Sequence, residues 1–138
     1  MTIKFILAID YMEPGFNPLT LVFVAFAISV HGVFLFDRDI LFDKRKFKKL
    51  FVISLGLFVF CYILKAFGLR ARNMEMMQVP FLALSIFFVM SYLFKKVFGE
   101  NPEDSFGGME VPAEHWIFNV LFWIIGLLVP IYLSLEIL

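Results

Sequence analysis

The chain has 138 residues, of which 62% are hydrophobic and 17% are charged, and its twelve Lys and Arg balance twelve Asp and Glu. Ordinary soluble domains are roughly 45–50% apolar, so too few polar side chains remain here to cover a surface facing water. This composition excludes an ordinary soluble globule and indicates a protein surrounded by a lipid bilayer. The zero net charge gives no electrostatic reason to expect nucleic acid as a partner. The single cysteine, Cys61, excludes an internal disulfide.

Four long segments without charge dominate the sequence. A charge at the centre of a spanning helix costs about 2.5–3.5 kcal/mol, so charged residues mark the ends of spans. About 20 helical residues cross a ~30 Å hydrocarbon core, and barrel strands would alternate between apolar and polar residues instead. The pattern predicts an all-α integral membrane protein of one domain. Its four-transmembrane-helix bundle has spans at about 18–36, 50–69, 77–96 and 114–136.

The first twelve residues precede the first span and contain a short apolar run at 5–9. This run is short for the core of a signal peptide, and no A-x-A-like cleavage site follows it. We therefore expect a short interfacial N-terminal segment.

Lys and Arg are distributed unequally between the loops. The first and third loops together carry eight of them, against four on the other side of the predicted bundle. By the positive-inside rule, this bias predicts a multi-pass protein of the cytoplasmic membrane with both termini outside.

The first loop combines cations with a helical stripe of apolar residues at Phe36, Ile40, Phe47 and Phe51. This mixture predicts a segment lying in the membrane interface, with cations at anionic lipid head groups. The predicted head-group ligands are Lys44, Arg45, Lys46, Lys48 and Lys49. A solvated loop is the open alternative, because three aspartates cancel part of this charge.

Five polar residues occur at similar predicted depths in the four spans: His31, Ser54, Ser91, Tyr92 and Asn119. We expect them to form one polar layer. Such a layer either fixes the register of the bundle through hydrogen bonds between helices, or forms a site for a proton, a cofactor or a lipid head group.

Small residues recur along two of the predicted spans. Ala25, Ser29 and Gly32 share one face of the first span, and Gly126 belongs to a stripe on the fourth. Small side chains let helix backbones approach closely, so both stripes predict helix–helix contacts.

Two histidines suggest an alternative in which the protein holds a cofactor. His31 and His115 both lie toward the same predicted side, and neutral imidazoles can serve as axial ligands of haem b. The main expectation is that the chain binds no cofactor and no metal.

The second loop contains Arg70, Arg72, Asn73 and Glu75, followed by Pro80. It resembles the Arg-Asn…Glu…Pro segment of the membrane-associated eicosanoid and glutathione metabolism family, whose members also have four helices. There the segment precedes the second helix, whereas here it precedes the third. The resemblance implies a site for a lipophilic substrate or glutathione at this loop. A polar loop with two snorkelling arginines is the alternative.

No carboxylate lies in the middle of a predicted span, and the sequence has no Ser-His-Asp, HExxH or phosphate-binding glycine motif. The parts of a proton-coupled exporter or a membrane hydrolase are therefore missing. We expect a non-catalytic accessory, scaffold or inhibitor subunit that contacts a membrane partner or another copy of itself. The alternative is a protein that binds a cofactor or a lipophilic substrate within the membrane.

Overall fold

The computed structural model describes residues 18–69, 73–104 and 112–136, and this part of the chain is helical without strands. Four segments are long and apolar enough to cross a membrane: Pro18–Phe36, Lys44–Ala66, Met74–Phe98 and Ala113–Leu135. The prediction of an all-helical protein with four candidate spans is confirmed. The N-terminal segment that we expect at the interface lies outside the described residues.

Five α-helices and one 3-10 helix make up the described chain. In order they are α1 (Pro18–Phe36), α2 (Asp39–Phe42), α3 (Lys44–Ala66), the 3-10 helix (Met74–Gln78), α4 (Val79–Phe98) and α5 (Ala113–Glu136). The predicted bounds of the first and fourth spans agree with α1 and α5 to within one residue. The third candidate span begins with the 3-10 helix, and α3 begins six residues before the predicted position 50.

The early start of α3 follows from the side chain of Asp43. This carboxylate accepts hydrogen bonds from the backbone N–H groups of Arg45 at 2.7 Å and Lys46 at 3.2 Å. Those two N–H groups would otherwise have no partner at a helix N-terminus, so Asp43 acts as the N-cap. The apolar stripe predicted in the first loop is divided between α1, α2 and α3, so it does not lie on one continuous helix. The position of this segment at the membrane interface stays a prediction.

Both ends of α4 also have local causes. Gly99 follows α4 in the left-handed conformation, with φ of 81°, and its N–H donates to the oxygen of Lys95 at 2.9 Å. Glycine adopts this conformation without a steric cost, which is why it commonly ends helices. Pro80 occupies the first turn of α4, where its missing N–H costs nothing.

The helix α4 lies at the centre of the bundle. It packs against α5 most extensively, and it also contacts α1, α3 and the 3-10 helix. Among the described elements, α3 contacts α2, α4 and the 3-10 helix but neither α1 nor α5. It therefore lies at the edge of the bundle.

Phenylalanine rings fill the main core. The ring of Phe87 on α4 contacts those of Phe42, Phe47, Phe118 and Phe122, with centroids 4.9–5.8 Å apart. Such pairs contribute about 0.5–1.5 kcal/mol each beyond the area they bury. In a bilayer, where apolar burial between helices gives little driving force, this close packing holds the helices together.

Candidate functional site

The five residues predicted to form one polar layer lie in different surroundings. His31, Ser54 and Asn119 are buried, Ser91 is half-buried, and Tyr92 is 62% exposed. The Ser54 Oγ donates to the backbone oxygen three residues earlier in its own helix, at 2.8 Å. That hydrogen bond belongs to α3 alone and does not join the members of the layer.

His31 is buried in an aromatic environment. Its ring stacks on Phe122 of α5 with centroids 5.9 Å apart and an interplanar angle of 12°. Neither ring nitrogen makes a hydrogen bond of good geometry to the described residues. Burying polar atoms without partners costs free energy, so the packing around Phe122 must offset that cost.

His115 fastens the segment 99–104, which follows α4, to the start of α5. Its Nδ1 accepts from the backbone N–H of Glu103 at 3.0 Å, and its Nε2 lies 2.9 Å from the Glu100 Oε1. Because a backbone N–H can only donate, Nδ1 is unprotonated and Nε2 carries the proton that it donates to Glu100. Both nitrogens of His115 are engaged by residues of this segment, whereas the ring of His31 stacks on Phe122. Ligation of haem by His31 and His115 stays a prediction.

Two further contacts hold the same segment. The Asn119 Nδ2 donates to the backbone oxygens of His115 at 2.7 Å and of Glu103 at 2.9 Å. On the other side of the segment, the Arg38 Nη1 donates to the Asp104 Oδ1 at 3.1 Å. Together with the contacts of His115, these contacts bring the α1–α2 connection, the end of α4 and the start of α5 together. We refer to this end of the bundle as the Arg38 end.

A half-open groove of about 430 Å³ lies at the Arg38 end, between the start of α3 and the second half of α4. Its floor is mainly aromatic, and two lysines, a serine and a tyrosine add polar groups. We call it the Lys44–Lys95 groove. It is lined by Leu41, Phe42, Lys44, Phe47, Phe87, Phe88, Ser91, Tyr92, Lys95, Asn101 and Pro102.

The groove brings together residues that sequence reasoning assigned to two different sites. Ser91 and Tyr92 come from the predicted polar layer, and Lys44 comes from the predicted head-group ligands. Lys95 was not predicted from the sequence as a site residue. It could have been found, because it is the first charged residue after the third long segment without charge. The other predicted head-group ligands, Arg45, Lys46, Lys48 and Lys49, are exposed in the first turns of α3.

A second buried polar cluster, at the opposite end, was also missed. Gln78 is fully buried, and its Nε2 donates to the Cys61 Sγ at 3.4 Å. The Cys61 thiol in turn donates to the backbone oxygen of Met74 at 3.5 Å. The Gln78 Oε1 has no hydrogen-bond partner. The contacts join α3 to the 3-10 helix, which gives the cluster a structural role.

The loop that resembles the eicosanoid and glutathione family is described in part. Arg70 and Arg72 lie outside the described residues. Asn73 adopts the left-handed conformation with φ of 62°, and Glu75 forms an ion pair with Lys65 at 3.4 Å. The Glu75 carboxylate, which belongs to the loop predicted to bind a substrate, therefore joins the 3-10 helix to the end of α3.

The predicted stripe on α1 faces away from the other helices of the described chain, whereas Gly126 of the predicted stripe on α5 is buried. Ala25 and Ser29 are exposed, and a Cβ added to Gly32 would meet no atom within 4 Å. A Cβ on Gly126 would lie 2.7 Å from the Phe122 ring of its own helix. The stripe on α1 therefore stays a prediction about a second molecule, whereas Gly126 makes room for an aromatic ring.

The structure shows the general class of this protein: it is helical, and four of its helical segments are long and apolar enough to cross a membrane. No family model, curated protein or solved structure matches the chain. Among the described residues, no three His, Cys, Asp or Glu side chains are grouped so that they could hold a metal ion.

Proposed function

We propose that this chain is a membrane protein that serves as a non-catalytic accessory, scaffold or inhibitor subunit. It acts through helix contacts with a membrane partner or with another copy of itself. The observation that carries the proposal is the outward position of the small-residue stripe on α1. The opposite face of this helix supplies the buried residues Phe23, Ala27, Val30 and Phe34. The small residues thus have no packing role within the described chain.

The outward face of α1 is suited to another transmembrane helix. Ala25 and Ser29 are separated by four positions, the spacing at which small residues allow two helix backbones to approach closely. The Ser29 Oγ donates to the Phe26 oxygen of its own helix at 2.8 Å, so its polar hydrogen is already satisfied. A close contact there requires no additional polar partner.

Two glycines provide a matched test of this face. Gly32 on α1 and Gly56 on α3 both have open space within 4 Å of an added Cβ, so a leucine side chain begins in open space at either position. We expect crosslinking in native membranes, followed by size-exclusion chromatography with light scattering, to detect an assembly for the unaltered chain. The assembly should persist in Gly56→Leu and be lost in Gly32→Leu.

Affinity purification with mass spectrometry then distinguishes a homo-oligomer from a complex with another protein. A chain that is monomeric in the membrane and purifies alone would contradict the proposal. Equal behaviour of Gly32→Leu and Gly56→Leu would also reject α1 as the contact face.

A further inference from the structure

The Lys44–Lys95 groove changes from polar to apolar along its depth. At a rise of 1.5 Å per residue, Ser91 lies about 6 Å below Lys95 along α4, and Phe87 lies about 12 Å below it. Lys44 supplies a second cation from the first turn of α3, and Phe47 follows about 4.5 Å further along that helix. The lining therefore passes from two cations through a hydroxyl to aromatic rings.

The charged side chains that line the groove are both cationic. None of the residues described as lining it is acidic, and within the described chain no ion pair engages Lys44 or Lys95. Both lysines are exposed at the ends of apolar helices, where the head groups of a surrounding bilayer would lie. This position favours an anionic ligand that is itself part of the interface.

Ser91 adds a polar group at an intermediate depth. Its Oγ is buried and has no hydrogen-bond partner among the described residues. Ser85, on the same helix, instead donates to the backbone oxygen of Phe81 at 2.8 Å. A buried hydroxyl without a partner is costly, and rotation of the Ser91 side chain toward the groove would let a ligand oxygen relieve that cost.

We propose that the Lys44–Lys95 groove binds an anionic phospholipid. The head-group phosphate lies between Lys44 and Lys95, an ester oxygen accepts a hydrogen bond from the Ser91 Oγ, and one acyl chain lies against Phe47 and Phe87. In a phospholipid, the phosphate is followed by the ester groups and then by the acyl chains. The lining of the groove has the matching order, because the two lysines are followed by the Ser91 hydroxyl and then by the aromatic rings.

Other ligand classes match fewer of these features. Free phosphate would leave the aromatic floor uncovered, and an uncharged lipid would leave both lysines without a counter-charge. The volume of about 430 Å³ lies within the usual range for small-molecule sites. The site is independent of the proposed helix contact, because no residue of α1 lines the groove.

The first test uses the purified full chain in a neutral detergent, titrated separately with phosphatidylglycerol and phosphatidylcholine and followed by native mass spectrometry. We expect preferential binding of phosphatidylglycerol. The variant Lys44→Gln/Lys95→Gln should bind it about 30-fold more weakly, from two cations near an anionic surface. The control Lys46→Gln/Lys96→Gln removes the same charge from exposed positions outside the groove and should retain most of the affinity.

The second test needs no substitution, so it remains decisive if a variant fails to fold. A photoactivatable phosphatidylglycerol with the reactive group near the start of one acyl chain should label peptides containing Phe47, Phe88 or Tyr92. Labelling should be weaker at Phe60, an exposed residue of α3 outside the groove. Equal binding of the two lipids, equal loss in the two double variants, or uniform labelling would each overturn the proposal.

Discussion

The Nδ1 of His115 accepts a hydrogen bond from the backbone N–H of Glu103 across 3.0 Å. This contact fixes the ring in the tautomer that carries its proton on Nε2. His115 is 2% exposed, whereas the Glu100 side chain, which accepts the hydrogen bond from the Nε2–H group, is 59% exposed. The buried acceptor therefore matters more to the fold than the partly solvated carboxylate, whose contact is weakened by water.

Replacing His115 separates these two contributions. His115→Ala leaves the Glu103 N–H without its acceptor and should destabilise the Arg38 end by about 1–2 kcal/mol. His115→Asn places a side-chain oxygen near the former Nδ1 and should restore most of the loss, although it cannot reach Glu100. Hydrogen exchange measured by mass spectrometry should rise in residues 100–104 for the alanine variant and much less for asparagine. Equal exchange in both variants would mean that the N–H contact is not the anchor.

A second pair of substitutions tests the packing inside α5. Gly126→Ala places a Cβ 2.7 Å from the Phe122 ring, which is fully buried and cannot move away without displacing its aromatic neighbours. Overpacking of this kind costs about 1–3 kcal/mol, more than the ~1 kcal/mol by which alanine favours a helix.

The control for this substitution is Gly56→Ala, where the added methyl meets no atom within 4 Å. We expect Gly56→Ala to raise stability slightly, by up to about 1 kcal/mol. Unfolding in mixed detergent micelles, followed by circular dichroism, compares the two variants. A stabilising Gly126→Ala would show that the Phe122 ring has room to move.

The four helices could be predicted because the cost of placing charge in a bilayer is a local property of the sequence. The start of α3 could not be predicted in the same way. The run from Lys44 to Lys49 looks like a loop by hydropathy, yet Asp43 caps a helix that already includes it. Arg38 and Asp104 are 66 positions apart, and no local pattern indicates that they pair.

The orientation of each helix about its axis was harder to predict than its length. In a soluble protein the apolar face of a helix is the buried face, but a spanning helix is apolar all round. Small residues therefore suggested contact at Ala25 and Ser29, whereas the buried face of α1 is formed by Phe23, Ala27 and Val30. The groove could not be predicted either, because its two lysines lie on different helices and the sequence does not specify how those helices are placed relative to each other.

The cap of α3 gives a prediction about pH. Hydrogen bonds from the backbone N–H groups of Lys46 and Arg45 lower the pKa of the Asp43 carboxyl below its ordinary value. A lowered pKa in the folded state means that the stabilisation is fully present above the ordinary pKa and is lost as the pH falls through the lowered one.

Asp43→Asn separates the charge from the cap, because asparagine caps helices about as well as aspartate but does not titrate in acid. The thermal midpoint of the unaltered chain in detergent should fall more steeply in acid than that of Asp43→Asn. Asp43→Ala should be less stable than both at neutral pH. Parallel acid profiles for the unaltered chain and Asp43→Asn would argue against a contribution from the carboxylate.

The membrane orientation is testable with two exposed or partly exposed positions at opposite ends of the bundle. Lys46 lies in the first turn of α3 at the Arg38 end, and Asn73 precedes the 3-10 helix at the other end. With Cys61 replaced by alanine, cysteine at position 73 should react with an impermeant thiol reagent in intact cells. Cysteine at position 46 should react only after the cells are permeabilised, as the excess of cations in the first and third loops predicts. The reverse pattern would invert the orientation, and labelling of both positions in intact cells would contradict an odd number of membrane crossings between them.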